Sequence, residues 1–360
     1  MRPAILGIVL ALMAGLFVIT GLLARTYRYQ KRNLAERHFE TGRKLAAEGR
    51  NREAVEEYRA ALSFQQSDRR FALALALALF DLGNLNEAAA HLVELREADP
   101  NDATVNLLLA RIAARQGRFD EAVNQYHRAI YGLWPQQSER KRLETRFELV
   151  EFLASRGDRN QVIAELLETA ADAPGDSETK KRVANLLLRY GSASHAADLF
   201  QDVLKTTPGD AAAYRGVADA EFALGDYRAA QTAYRRALHW KRNDPEIERK
   251  LEETSRILAL DPTLPNLSSR QRLRRTRQVM EETLLAMVQC TTHSGKAPSS
   301  DAVVAAEAVN KLLRSPAGLD DFPSDALTHT EQLWKARLDM CGPPSDAESA
   351  LAAVLAKVAR

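Results

Sequence analysis

Six glycines, at 49, 83, 117, 157, 191 and 225, punctuate this chain at spacings of 34, 34, 40, 34 and 34 residues. A period in this range marks a stacked repeat protein, in which each unit buries its apolar face against its neighbours. The register extends beyond the glycines. Five residues after each comes a small or short apolar residue: Ala54, Ala88, Ala122, Val162, Ala196 and Ala230. Nine after each comes a large apolar one (Tyr58, Leu92, Tyr126, Leu166, Phe200, Tyr234), and twelve after come Ala61, Leu95, Ala129, Thr169, Val203 and Ala237. Pro100, Pro174 and Pro208 stand seventeen after and close three units. The spacing predicts helix–turn–helix hairpins. A left-handed glycine ends the first helix without a Cβ penalty. Small residues let the two helices approach, and positions four apart share a face.

This ladder, in phase from Ala35 to about Lys241, resembles the tetratricopeptide repeat. Gly42 falls at the family's first-helix glycine position, whereas the family tryptophan is missing from every unit. The resemblance implies an all-α, right-handed superhelix of about six repeats, with units beginning near Ala35, Arg69, Ala103, Leu143, Ser177 and Ala211. It also implies a concave groove, lined by the first helix of each unit, that holds an extended or helical segment of a partner protein. At the family's inner-face positions this chain carries Arg43, then Leu73, Leu77 and Phe80, then Arg111 and Arg115, then Phe147 and Glu151. The last two units contribute Lys181, Asn185 and Arg189, then Arg215, Asp219 and Phe222. Such a groove has a basic strand with apolar pockets and suits a carboxylate-bearing segment; solvated surface is the alternative for each residue. Lys181 and Asn185 match by position the first two residues of the carboxylate clamp of chaperone-binding relatives, but Gly216 stands where that clamp needs an asparagine.

Ahead of the repeats, Ala4 to Ala24 carries no charge and is mostly Leu, Ile, Val, Ala and Gly. About 20 apolar residues span a bilayer core, and Tyr27, Tyr29, Arg25, Arg28, Lys31 and Arg32 follow at interfacial depth. The expectation is a transmembrane anchor and stem over 1–34, hence a single-pass protein of the cell (inner) membrane. A cleaved signal peptide is the rival, with Leu22-Leu23-Ala24 a poor cleavage site. The side on which the repeats lie stays open. The cations after the span favour the cytoplasm. Cys290 and Cys341, the two cysteines of the chain, would suit a disulfide in an oxidising compartment such as the periplasm, or be free thiols in the cytoplasm.

The repeats and a capping helix from Pro245 to Leu260 fill 35–262, and a helical region of no recognised family fills 263–360. In that region Ser268 or Ser269 caps a helix reaching Cys290, and Ser345 with Glu348 forms a capping box for the last helix. The 40-residue spacing marks an insertion around Tyr131-Gly132-Leu133-Trp134-Pro135, read as a longer loop or extended helix, or else as a projecting contact. Lys and Arg number 50 against 48 Asp and Glu, which argues against a phosphate-driven nucleic-acid binder. The seven histidines are scattered, and no phosphate loop, nucleophile elbow or paired Cys-x-x-Cys occurs. The expectation is no enzyme, no metal and no cofactor. It is a membrane-anchored scaffold that binds a protein segment, in assembly or quality control of envelope complexes, or alternatively a permanent subunit of an envelope complex.

Overall fold

The computed structural model describes residues 2–135, 138–172, 176–295, 297–314 and 325–358, with the side chains of these apart from 2–11, 14 and 325. Among the described residues the chain is all-α, and it divides into two compact units, Met1–Glu165 and Leu166–Arg360. The first unit holds α1 (Arg2–Ala47), α2 (Asn51–Phe64), α3 (Arg69–Asp81), α4 (Leu85–Ala98), α5 (Ala103–Arg115), α6 (Phe119–Ile130) and α7 (Ser138–Ser155), and the division falls inside α8 (Arg159–Asp172). The second continues with α9 (Ser177–Arg189), α10 (Ala193–Thr206), α11 (Ala211–Leu224), α12 (Tyr227–Trp240), α13 (Pro245–Leu260), α14 (Ser269–Ser294), α15 (Ser300–Arg314), α16 (Asp325–Cys341) and α17 (Ser349–Val358).

The repeat ladder is the core. Ala54, Ala88, Ala122, Val162, Ala196 and Ala230 are fully buried, and the large residues nine past each glycine are at most 3% exposed. Each repeat glycine adopts positive φ, from 72° at Gly117 to 83° at Gly225, and Gly225 closes α11. Close approach is tightest at Gly216 on α11, where an added Cβ would lie 2.3 Å from Cζ of Phe200 on α10. First helices are started by aspartates: the carboxylates of Asp102, Asp176, Asp210 and Asp244 accept from main-chain N–H groups of α5, α9, α11 and α13, satisfying donors that the helix leaves open.

The expected membrane anchor is corrected. Among the described residues no helix is long and apolar enough to cross a membrane. The described apolar side chains of α1 begin at Leu12 and end at Ala24, before Arg25. Ala4 to Ala11, the rest of the expected span, lies outside the described side chains. The single-pass reading, membrane contact through 4–24 and the cell-membrane localisation go with the anchor. Helix α1 instead runs unbroken into the first repeat, where Ala35, Phe39 and Gly42 pack on the core.

The second unit ends in a helical cluster. Helix α13 packs on α12, and Ile257 and Leu260 of α13 share a core with Leu351, Val354 and Leu355 of α17. Arg275 of α14 donates to the carbonyls of Leu258 and Asp261 at 2.8 and 2.9 Å, closing the end of α13. Helix α14 starts with a capping box of Ser268 and Gln271, and a second one, Ser345 and Glu348, precedes α17. Cys290 of α14 and Cys341 of α16 are joined as a disulfide, with Cα atoms 6.0 Å apart. The Pro174 stop, the turn from Ser315 to Asp321 and the Ser324 helix start lie outside the described residues.

Candidate functional site

In the first unit the exposed faces of α3, α5 and α7 enclose an open cavity of about 400 Å³. Its floor is apolar: Leu77 of α3, with Leu107 and Leu108 of α5. Leu77 is 39% exposed although its neighbours Leu75, Ala76, Ala78 and Leu79 are buried. Leu77 is thus the one side chain between Leu75 and Leu79 left open to the cavity.

Charged groups form the walls. Arg111 of α5 reaches α7, where its Nε and Nη2 donate to the two carboxylate oxygens of Glu148 at 2.8 and 2.7 Å. The buried Tyr126 hydroxyl donates to the same carboxylate at 2.8 Å. Burial, and then the adjacent Glu148 charge, push the Tyr126 phenol above its usual range. The Arg111 guanidinium is held still more firmly protonated by its bonds to Glu148. Lys141 and Glu144, both on α7, complete the wall, 4.0 Å apart.

The rim comes from the insertion. Tyr131 to Pro135 leave α6 as a loop, and the remaining extra residues start α7 at Ser138, ahead of Leu143. The loop is pinned: the Leu133 N–H donates to the Asn101 carbonyl at 2.7 Å, and the Ala103 N–H donates to the Leu133 carbonyl at 3.3 Å. Gly132 fits because it has no side chain, since a Cβ there would sit 2.8 Å from the carbonyl oxygens of Arg128 and Asn101. Trp134 and Pro135 are thereby set on the cavity, and the indole Nε1 is buried without a hydrogen-bond partner.

The residues expected to line a basic groove are distributed differently. Phe80 is 7% exposed, and Arg115 lies 3.8 Å above its ring while donating to the Phe80 carbonyl at 3.1 Å. Arg115 therefore closes the end of α3. Phe147 is core at 5% exposure, and its neighbour Glu148 faces the cavity instead. Leu73 is half-buried against the core, and Glu151 is exposed. Arg43 is exposed and paired with Glu40 of its own helix.

In the second unit Lys181 bonds Asp210 at 2.7 Å and Glu178 at 2.8 Å. Arg215 bonds Glu246 at 2.6 Å and lies 3.6 Å from Asp219, whose carboxylate also accepts from the Tyr234 hydroxyl. Phe222 packs against the cluster formed by α13 and α17, under the Lys250 ammonium. Asn185 and Arg189 are exposed, and Arg189 pairs with no carboxylate among the described residues. The expected basic strand is thus largely neutralised, by Asp219 of the inner-face positions and by the carboxylates of Glu40, Glu148, Glu178, Asp210 and Glu246 outside them. Leu107, Leu108, Lys141, Glu144 and Glu148 stand outside the expected positions, whereas Trp134 and Pro135 belong to the insertion that the 40-residue spacing marks. Among the described residues no group of three or more His, Cys, Asp or Glu side chains is placed to hold a metal ion.

Sequence profiles of the tetratricopeptide repeat match residues 39–92, 73–138 and 187–252. No curated protein matches the chain. Solved structures similar in fold include YrrB, a TPR protein with an unusual peptide-binding site, at 16% identity and TM-score 0.38, covering 55% of this chain and 99% of that one. Pseudomonas aeruginosa pilF is 14% identical with TM-score 0.38, covering 62% of this chain and 99% of its own. The TPR2AB domain of yeast Sti1, in complex with pHSP90, is 17% identical with TM-score 0.28, covering 62% and 99%.

Proposed function

From a chain that carries tetratricopeptide repeats over residues 39–138 and 187–252, we propose a protein-interaction role, exercised by the groove between α3, α5 and α7. The observation that carries it is Leu77, an exposed leucine on the floor of a cavity whose walls are tied by hydrogen bonds. Apolar surface left open in a braced concavity gains by being covered, and braced walls lose little freedom on binding. A segment of a partner chain, laid along the first helices, covers it.

The charge pattern argues against an acidic segment. Arg111 is matched by Glu148 and Arg115 is engaged with Phe80, so neither presents an unpaired guanidinium to a ligand carboxylate. Charge reversal at Arg115 also unmakes the end of α3 and so does not isolate the groove. The better test puts a photo-crosslinking amino acid at Leu77 and, as a control, at Asn124, exposed on α6. Discrete adducts at Leu77 and none at Asn124 are expected; equal labelling at both positions overturns the reading.

A further inference from the structure

We infer that α1 carries a second interaction surface, and that another copy of this chain covers it. The stretch from Leu12 to Gln30 pairs in parallel and in register with the same stretch of that copy, as a coiled coil. The surface is separate from the groove of α3, α5 and α7 and stands whether or not that groove binds a segment.

Three observations lead there. The first is exposure. Every described side chain from Leu12 to Gln30 is exposed, and Leu12, Leu16, Ile19 and Leu23 are between 56% and 69% exposed. The stretch also contains Gly15, Val18, Ile19, Thr20 and Gly21, all weaker helix formers than Ala or Leu. A helix of this composition draws its stability from packing rather than from propensity. Contiguous exposed apolar surface of this kind marks a contact.

The second observation is register. Leu12, Leu16, Ile19, Leu23, Thr26 and Gln30 follow one another at steps of 4, 3, 4, 3 and 4 residues. That is the seam of a coiled coil, with Leu16, Leu23 and Gln30 at heptad position a and Leu12, Ile19 and Thr26 at d. No charge falls on the seam. Arg25 and Arg32 take position c, Arg28 takes f and Lys31 takes b, which all point away from a partner helix. Two of these cations are engaged within α1 itself: Arg28 donates to the Ala24 carbonyl at 3.2 Å, and the Lys31 ammonium lies 5.1 Å from the centre of the Tyr27 ring. Parallel copies therefore close the seam without setting cation against cation.

The third is that the seam matches itself, which selects a second copy as the partner. In parallel register each apolar level meets its like, and Gln30 meets Gln30, whose amide both donates and accepts. The Thr26 hydroxyl already donates to the Leu23 carbonyl at 2.9 Å and needs no partner across the seam. Antiparallel pairing would set Gln30 against Leu12 and leave the amide unsatisfied, at a cost. A single polar residue at an a position fixes register in this way.

The test is sedimentation equilibrium of the full chain. The expected mass is a fixed whole number of chains, greater than one. Leu16→Glu with Leu23→Glu puts charge on the seam and should give the mass of a single chain. Phe17→Glu with Val18→Glu adds the same charge at b and c, off the seam, and should leave the assembly intact. All four side chains are exposed, so neither double variant reaches the repeat core. Gln30→Cys should crosslink copies on mild oxidation, and Arg28→Cys, at f, should not. A single-chain mass for the parent protein overturns the inference; if that single chain sediments with phosphatidylcholine vesicles, a lipid surface is what covers α1. Assembly that survives charge on the seam overturns it as well. So does equal loss of assembly in both double variants, which is unspecific apolar clustering, and so does equal crosslinking from the two cysteine positions.

Discussion

Arg111 and Glu148, one on α5 and the other on α7, meet in a two-pronged pair with N···O distances of 2.8 and 2.7 Å. The pair ties two successive first helices across the cavity, and the Tyr126 hydroxyl supports the carboxylate from the core side. Glu148→Ala removes the acceptor of a buried phenol together with the partner of the guanidinium. The expected loss is about 1–3 kcal/mol, the penalty of an unsatisfied buried group. Glu148→Gln still accepts from Tyr126 and should lose less. Urea denaturation checks both, and equal midpoints for the two variants would sink the account.

Gly216 sets the spacing of α10 and α11. Because its Cβ position falls 2.3 Å from the Phe200 ring, Gly216→Val should destabilise the second unit by about 3 kcal/mol, at the upper end for overpacking. Pairing it with Phe200→Leu should recover part of the loss. A double-mutant cycle measures the coupling, and strict additivity would mean that the two residues do not press on each other.

The Cys290–Cys341 bridge closes a loop with a sequence separation of 51 residues and joins α14 to α16. The chain-entropy relation gives about 4 kcal/mol for a loop of this length. Thiol titration of the unfolded protein should find no free thiols before reduction and two after it. Reduction should lower the unfolding temperature of the second unit, and a melt unchanged by reductant would contradict a stabilising role.

Acid should loosen the junction of α9 and α11. Burial raises the Asp210 carboxyl pKa, but the Lys181 ammonium and the N–H groups at the start of α11 outweigh it and hold the group below its usual range. A carboxyl with a depressed folded pKa contributes stability above its unfolded value, about 3.9, and loses that contribution as pH falls through the folded value. Lys181, raised chiefly by its bond to Asp210 and then by Glu178, contributes below its unfolded value of about 10.4 and loses it as pH rises through the folded value. Asp210→Asn should therefore flatten the acid limb of stability against pH. Denaturant midpoints measured from neutral pH down to about pH 3 check this; parallel curves for the variant and the parent protein would refute it.

The sequence by itself determined the repeat lattice. Gly49, Ala54, Tyr58 and their equivalents recur because each hairpin poses the same local problem: a left-handed turn, then a close contact, then a filled gap. Capping was legible for the same reason, since Ser345 with Glu348 acts within one helical turn, and of Ser268 and Ser269 the structure makes Ser268 the cap, with Gln271 as its partner. The groove was legible only in part. Leu77 and Arg111 line the cavity, but Phe147 is turned inward and Glu148 outward on α7, which starts ahead of Leu143. The basic strand failed because ion pairing depends on distance in space. Glu148 lies 37 residues from Arg111, and Asp210 lies 29 from Lys181. Nor does any local rule predict that Arg115 spends its donor on the Phe80 carbonyl or that Asn101 and Arg128 seat the loop carrying Trp134. The repeat pattern fixes which residues are buried, because burial follows helical periodicity; tertiary packing alone decides which charges cancel and which indole remains unpaired, because those depend on side chains meeting from distant turns of the chain.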